Sequence, residues 1–131
     1  MTGSNLALDT NAYSDWQRGV RWQKSLRRVR MVSIPFVVVA ELRGGFEAGT
    51  KTLENSRNLD GFLSSASVRI LYPDDTTLML YGKLFADLRR QGTPIPSNDL
   101  WIAALCTQHN LPLATTNEHF RHVPALMLAE E

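Results

Sequence analysis

Cysteine is nearly absent: Cys106 stands alone among 131 residues, so no disulfide can form within the chain. A thiol without a bridging partner agrees with a reducing compartment. Its place in the apolar run 100–106 marks it as buried and inert, because reactive thiols sit in electropositive, partly exposed surroundings. Charge of one sign is missing as well. Fourteen Lys and Arg against thirteen Asp and Glu leave +1, so attraction to nucleic acid or membrane must be argued locally. No apolar run is long enough to span a bilayer, and the N-terminus lacks the basic start and apolar stretch of a signal peptide. A cytoplasmic protein without membrane contact is expected. Internal repeats, low-complexity stretches and linkers are also lacking, and the length suits a single domain over 1–131.

What is present is alternation. Leu6-Ala7-Leu8 runs straight into Asp9-Thr10-Asn11, which fits a buried strand of a parallel sheet. Such a sheet takes ligands beyond the carboxyl ends of its strands, so Asp9 stands where ligands go. Asp-Thr-Asn is equally a helix start with Asp9 as its cap. A helix is predicted over 13–30, with Tyr13, Trp16, Val20, Leu26 and Val29 apolar and Arg18, Arg21, Lys24, Arg27, Arg28 and Arg30 facing only Asp15. That run is either a solvated face or a surface that tracks phosphates. Trp16 and Trp22 either stack on bases or belong to the core.

A strand follows at 31–34, then a helix that Pro35 opens and Gly44-Gly45 stop. Glu41 lies near the end of this otherwise apolar helix, either exposed or held by a partner. Thr50 caps a helix over 51–64, and 68–71 reads as a strand. Pro73-Asp74-Asp75-Thr76 opens a helix to Arg90 that Gly92 ends, with Asp74 and Asp75 as acids of the first turn. Asp99 begins a helix to 110 that is apolar on nearly every side and therefore central. A last core strand, 111–114, delivers Thr115-Thr116-Asn117, and 123–126 is expected as an edge strand.

Strands alternating with helices over short loops imply a parallel sheet flanked by helices. Right-handed crossovers gather strand ends and helix starts at one rim, which receives Asp9, Asp99 and Asn117, and Glu41 if its helix leans over. Three acids without Lys or Arg between them repel one another, and their pKa values rise unless something positive binds. A hard divalent cation, Mg²⁺ or Mn²⁺, would relieve this with oxygen ligands, and could activate water for phosphodiester hydrolysis. His119 and His122 lack a third ligand at zinc spacing. A phosphorylated receiver-like domain would need an adjacent acid pair and a Lys near the last strand, where this chain has Thr115-Thr116-Asn117.

Leu-Asp-Thr-Asn at 8–11, Val-Ala-Glu-Leu-Arg-Gly-Gly at 39–45, Asn-Asp-Leu-Trp-Ile-Ala-Ala at 98–104 and Ala-Thr-Thr-Asn-Glu-His-Phe at 114–120 resemble PIN-domain ribonucleases across essentially the whole chain. Length and order resemble in particular the toxin half of VapBC-type toxin–antitoxin pairs. The resemblance implies a three-layer α/β/α sandwich with a central, mainly parallel sheet. It further implies an Mg²⁺- or Mn²⁺-dependent endoribonuclease, a homodimer, and a small VapB-like antitoxin. It places Asp9, Glu41 and Asp99 as catalytic, with Asp9 and Asp99 holding the ion. Asn11 and Thr115 become the polar residues that orient water and neighbouring acids, and Asn117 takes a fourth position that is often Asp. That missing charge leaves open a catalytically degenerate, RNA-binding or protein-interaction domain. For an RNA substrate, single-stranded or looped, Arg18, Arg21, Lys24 and Arg43 are the candidate backbone contacts.

Overall fold

Leu6, Ala7 and Leu8 are almost completely buried, and the strand they form is interior to the sheet. The computed structural model describes residues 5–131. In chain order it contains β1 (Asn5–Leu8), α1 (Thr10–Gln17), α2 (Gln23–Arg28), β2 (Met31–Pro35), α3 (Phe36–Ala48), α4 (Thr52–Leu63), β3 (Val68–Leu71), α5 (Asp75–Gln91), α6 (Ser97–Gln108) and β4 (Leu113–Ala114), followed by a 3₁₀ turn at Glu118–His122. The sheet order is β3-β2-β1-β4, and each of these pairings is parallel. Helices cover both faces, giving the three-layer α/β/α sandwich that the alternation implies. Parallel strands buried on both faces need apolar side chains throughout, which explains the uninterrupted runs of β1 and β2.

Helix α6 occupies the middle of one layer. Leu100, Ile102, Ala103, Ala104, Leu105 and Cys106 are all buried, so this helix has no wet face beyond its ends. Burying a leucine or isoleucine completely contributes about 1.5–3 kcal/mol, so α6 is a principal anchor of the core. Burial pushes the Cys106 thiol up to about 12, with the Asp9 charge adding to it, which fits an inert core thiol.

Several predicted boundaries are corrected. The helix over 13–30 is two helices. Gly19 (φ +75°) and Trp22 (φ +76°) both adopt the left-handed conformation and turn the chain between α1 and α2. Trp22, held in that conformation, is buried in the core, so its packing decides the turn. Pro35 precedes the first turn of α3 in an extended conformation rather than occupying it. Gly44-Gly45 do not stop that helix. It continues to Ala48 because Phe46, one residue further, packs against the core and rewards another turn. Thr50 does not cap α4; Lys51 holds the cap position without a side-chain hydrogen bond, and the Thr52 hydroxyl turns back to the Phe46 carbonyl at 2.7 Å. Helix α6 starts two residues early, at Ser97, leaving Asp99 inside its first turn. Residues 123–126 form no strand; instead Leu128 makes a single bridge to Leu113. Asp75 and Gly92 behave as read, in the first turn of α5 and at its end at φ +82°, whereas Asp74 stands one place earlier, at the N-cap, where it closes a capping box with Thr77. No helix of the described residues is long and apolar enough to cross a membrane.

Candidate functional site

Strand β1 is too short to carry Asp9, which begins the next element. Its side chain accepts the Ala12 backbone N–H at 2.8 Å and so caps α1. Capping and a place at the strand end therefore coexist in one residue. The second carboxylate oxygen accepts the hydroxyl of Thr115, which β4 delivers alongside. Asp9 is 4% exposed. Burial raises its pKa above the usual carboxylate range, the bonds from Thr115 and Ala12 pull it down, and the charges of Asp99 and Glu41 push it up again.

Asp9, Asn11, Glu41, Asp99 and Asn117 line one cleft of about 210 Å³, with Thr10 and Ile102 completing its wall. Five residues from four separate stretches of the chain thus meet at the carboxyl edge of the sheet. Helix α3 leans over that edge, which is how Glu41 arrives. Its carboxylate accepts the Thr10 hydroxyl on one oxygen and the Asn98 side-chain amide, at 2.9 Å, on the other. Asp99 is held by His119, whose Nδ1 lies 2.8 Å from Oδ2. Asn117 turns its side-chain oxygen back to the His119 backbone N–H at 3.0 Å, capping the 3₁₀ turn. Glu118 points away and pairs with Arg121 at 3.1 Å.

Thr10, Asn98 and His119 are the members that sequence reasoning missed. Thr10 and Asn98 adjoin Asp9 and Asp99 and lie within the stretches 8–11 and 98–104, which give them no separate role. The sequence offers His119 within the stretch 114–120 and beside His122 as an incomplete zinc pair, whereas its ring partners Asp99.

No Lys or Arg lines the cleft. Arg18 pairs with Asp15 at 2.9 Å, Arg21 lies 3.9 Å from Asp15 and 3.7 Å from Glu131, and Arg43 pairs with Asp60 at 2.7 Å. Lys24 is exposed on α2, away from the cleft.

The expectation of a divalent ion is corrected at this point. Among the described residues, no group of three or more His, Cys, Asp or Glu side chains is placed to hold a metal ion. The carboxylates share a cleft, but their lone pairs turn to protein donors: Asp9 to Thr115 and Ala12, Glu41 to Thr10 and Asn98, Asp99 to His119. Asn117 brings no charge and spends its oxygen on a cap. The residues present do not fit an Mg²⁺ or Mn²⁺ cofactor, and the metal-dependent endoribonuclease reading falls with it. What the cleft offers is a compact, negative surface that suits a cationic side chain.

Comparison with known proteins agrees with the fold. The PIN domain family matches residues 6–126. Ribonuclease VapC5 of Mycobacterium tuberculosis is 31% identical over 113 residues, 86% of this chain and 83% of that protein. The structure of VapBC2 from Rickettsia felis, bound to a DNA fragment from their promoter, superposes with a TM-score of 0.82 at 27% identity, covering 95% of this chain and 97% of that one. VapBC-1 from nontypeable Haemophilus influenzae superposes equally, with a TM-score of 0.82 at 27% identity over 96% and 97% of the two chains.

Proposed function

The chain belongs to the PIN-domain family, closely related to VapC-type toxins of VapBC toxin–antitoxin pairs, and we propose that it works as the protein-interaction half of such a pair. Residues 1–131 act as one unit, and the acidic cleft receives an arginine or lysine side chain of a small, VapB-like partner. One observation carries this reading: Asp9, Glu41 and Asp99 line a common cleft that no Lys or Arg of the described residues lines. A guanidinium entering it supplies the absent positive charge and lowers the raised pKa of Asp9. An RNA phosphate brings more negative charge to the same place and is disfavoured there. Solved relatives that carry VapBC in their names support a two-protein assembly. A second copy of the chain is the expected additional partner, because α5 leaves Leu78, Met79 and Phe85 exposed.

The test is co-expression with the product of a short reading frame directly upstream, followed by affinity and mass measurement of the purified complex. A stable complex with two copies of each chain is expected. Asp99→Asn and Glu41→Gln together should weaken it by about 2 kcal/mol or more, the usual cost of leaving a desolvated charge unpaired. Undiminished affinity in the doubly neutralised variant would overturn the reading. So would divalent-dependent RNA cleavage by the purified chain that disappears in Asp9→Asn.

A further inference from the structure

The opposite edge of the sheet, at the N-terminal ends of the strands, is basic. Among the described residues Arg28, Arg30 and Arg69 have no carboxylate within 4.0 Å, and they line two clefts that share Asn5 as a common wall. The larger, about 550 Å³, is walled by Leu6, Val29 and Pro112, with Ser25, Arg28 and Glu130 as polar members. Ser25 is 6% exposed, and its hydroxyl has no hydrogen-bond partner among the described residues. A buried hydroxyl left unpaired costs roughly 1–3 kcal/mol, so a ligand that bonds to it gains by doing so. The smaller cleft, about 380 Å³, is lined by Asn5, Met31, Arg30 and Arg69. The Nε of Arg69 donates to the Ser33 hydroxyl at 2.8 Å, and Ser33 is fully buried. The guanidinium is therefore anchored at one end, with its terminal nitrogens left to fork an anion.

A greasy slot with an orphan hydroxyl, joined to a slot with two guanidinium groups, has the chemistry of one kind of small molecule. We propose that these clefts bind a nucleoside phosphate, with the base between Leu6, Val29 and Pro112 and the phosphate on Arg30 and Arg69. The Ser25 hydroxyl bonds the base or sugar. Glu130 accepts from an exocyclic amine, which favours adenine or cytosine over uracil. The ligand is either a free nucleotide or one unpaired residue of a single-stranded RNA, whose backbone would continue along the basic edge. This site lies a strand's length from the acidic cleft, about 13 Å for four residues, and does not depend on what that cleft binds.

The experiment is isothermal titration of the full chain with AMP, UMP, adenosine, inorganic phosphate and an oligoadenylate hexamer. AMP should bind, with adenosine and UMP each about tenfold weaker, a difference of about 1.4 kcal/mol. Tighter binding of the hexamer than of AMP identifies the strand as the source, and AMP binding without the hexamer identifies the free nucleotide. Arg30→Gln removes a surface cation that has no carboxylate partner among the described residues, leaves the core untouched, and should weaken AMP about tenfold or more; Ser25→Ala should weaken AMP and adenosine alike. The proposal is overturned if neither AMP nor the hexamer binds at millimolar concentration. It is also overturned if inorganic phosphate binds as well as AMP, or if Arg30→Gln leaves AMP binding unchanged.

Discussion

The two edges of the sheet handle charge in opposite ways. At the carboxyl edge every acid is matched by a donor from the chain itself: Thr115 and Ala12 on Asp9, Thr10 and Asn98 on Glu41, His119 on Asp99. At the amino edge Arg28 and Arg30 have no acid among the described residues, and Arg69 has only a serine hydroxyl. A formal charge of +1 averages these into neutrality. For the cations, availability for a ligand follows from pairing rather than from number. Arg18 and Arg43, which look free in the sequence, are occupied by Asp15 and Asp60, whereas Arg30 and Arg69 are not occupied in this way.

The sharpest way to break this contrast is to remove a donor from the acid edge. Thr115→Val takes the hydroxyl from buried Asp9 and should cost about 1–3 kcal/mol at neutral pH, read from the urea midpoint. An unchanged midpoint would show that Asp9 does not rely on its internal partner. A subtler probe is pH. The Asp9 carboxyl is raised by burial, so the folded chain holds this proton more tightly than the unfolded one. Its contribution to stability is present in full below the ordinary carboxylate pKa and is lost as pH rises through the folded value. Asp9→Asn should flatten that slope and leave the protein more stable than the parent at neutral pH, as urea midpoints across a pH series would show. The smallest effect is expected at the amino edge. Arg30→Gln should alter stability by no more than about 0.5 kcal/mol, because no ion pair among the described residues is lost; a larger fall would reveal a partner and blur the contrast between the edges.

Much of this arrangement is legible in the residues. Apolar runs ending in Asp9 and Thr115 mark strands, and an all-apolar stretch after Asp99 marks the central helix α6, because a parallel sheet buried on both faces permits few other patterns. The meeting of Asp9, Glu41, Asp99 and Asn117 in one cleft follows from the same topology. Their partners do not. Whether a carboxylate turns toward an ion or toward a neighbouring threonine is a matter of side-chain direction, which spacing does not encode. The pairing of Arg43 with Asp60 across two helices is equally silent in the sequence. So is the break between α1 and α2: Gly19 hints at it, but Trp22 in a left-handed conformation is held by its burial in the core rather than by any local preference. The run through Gly44-Gly45 shows the same override, with tertiary contacts of Phe46 outweighing two unfavourable propensities.

Cys106 gives this molecule a native gauge of its own breathing. Alkylation needs a thiolate, and a thiol sealed inside α6 forms one only when that helix is exposed. The labelling rate with a small maleimide would time the opening of the central layer without any engineered probe, and would slow when a genuine ligand clamps either edge.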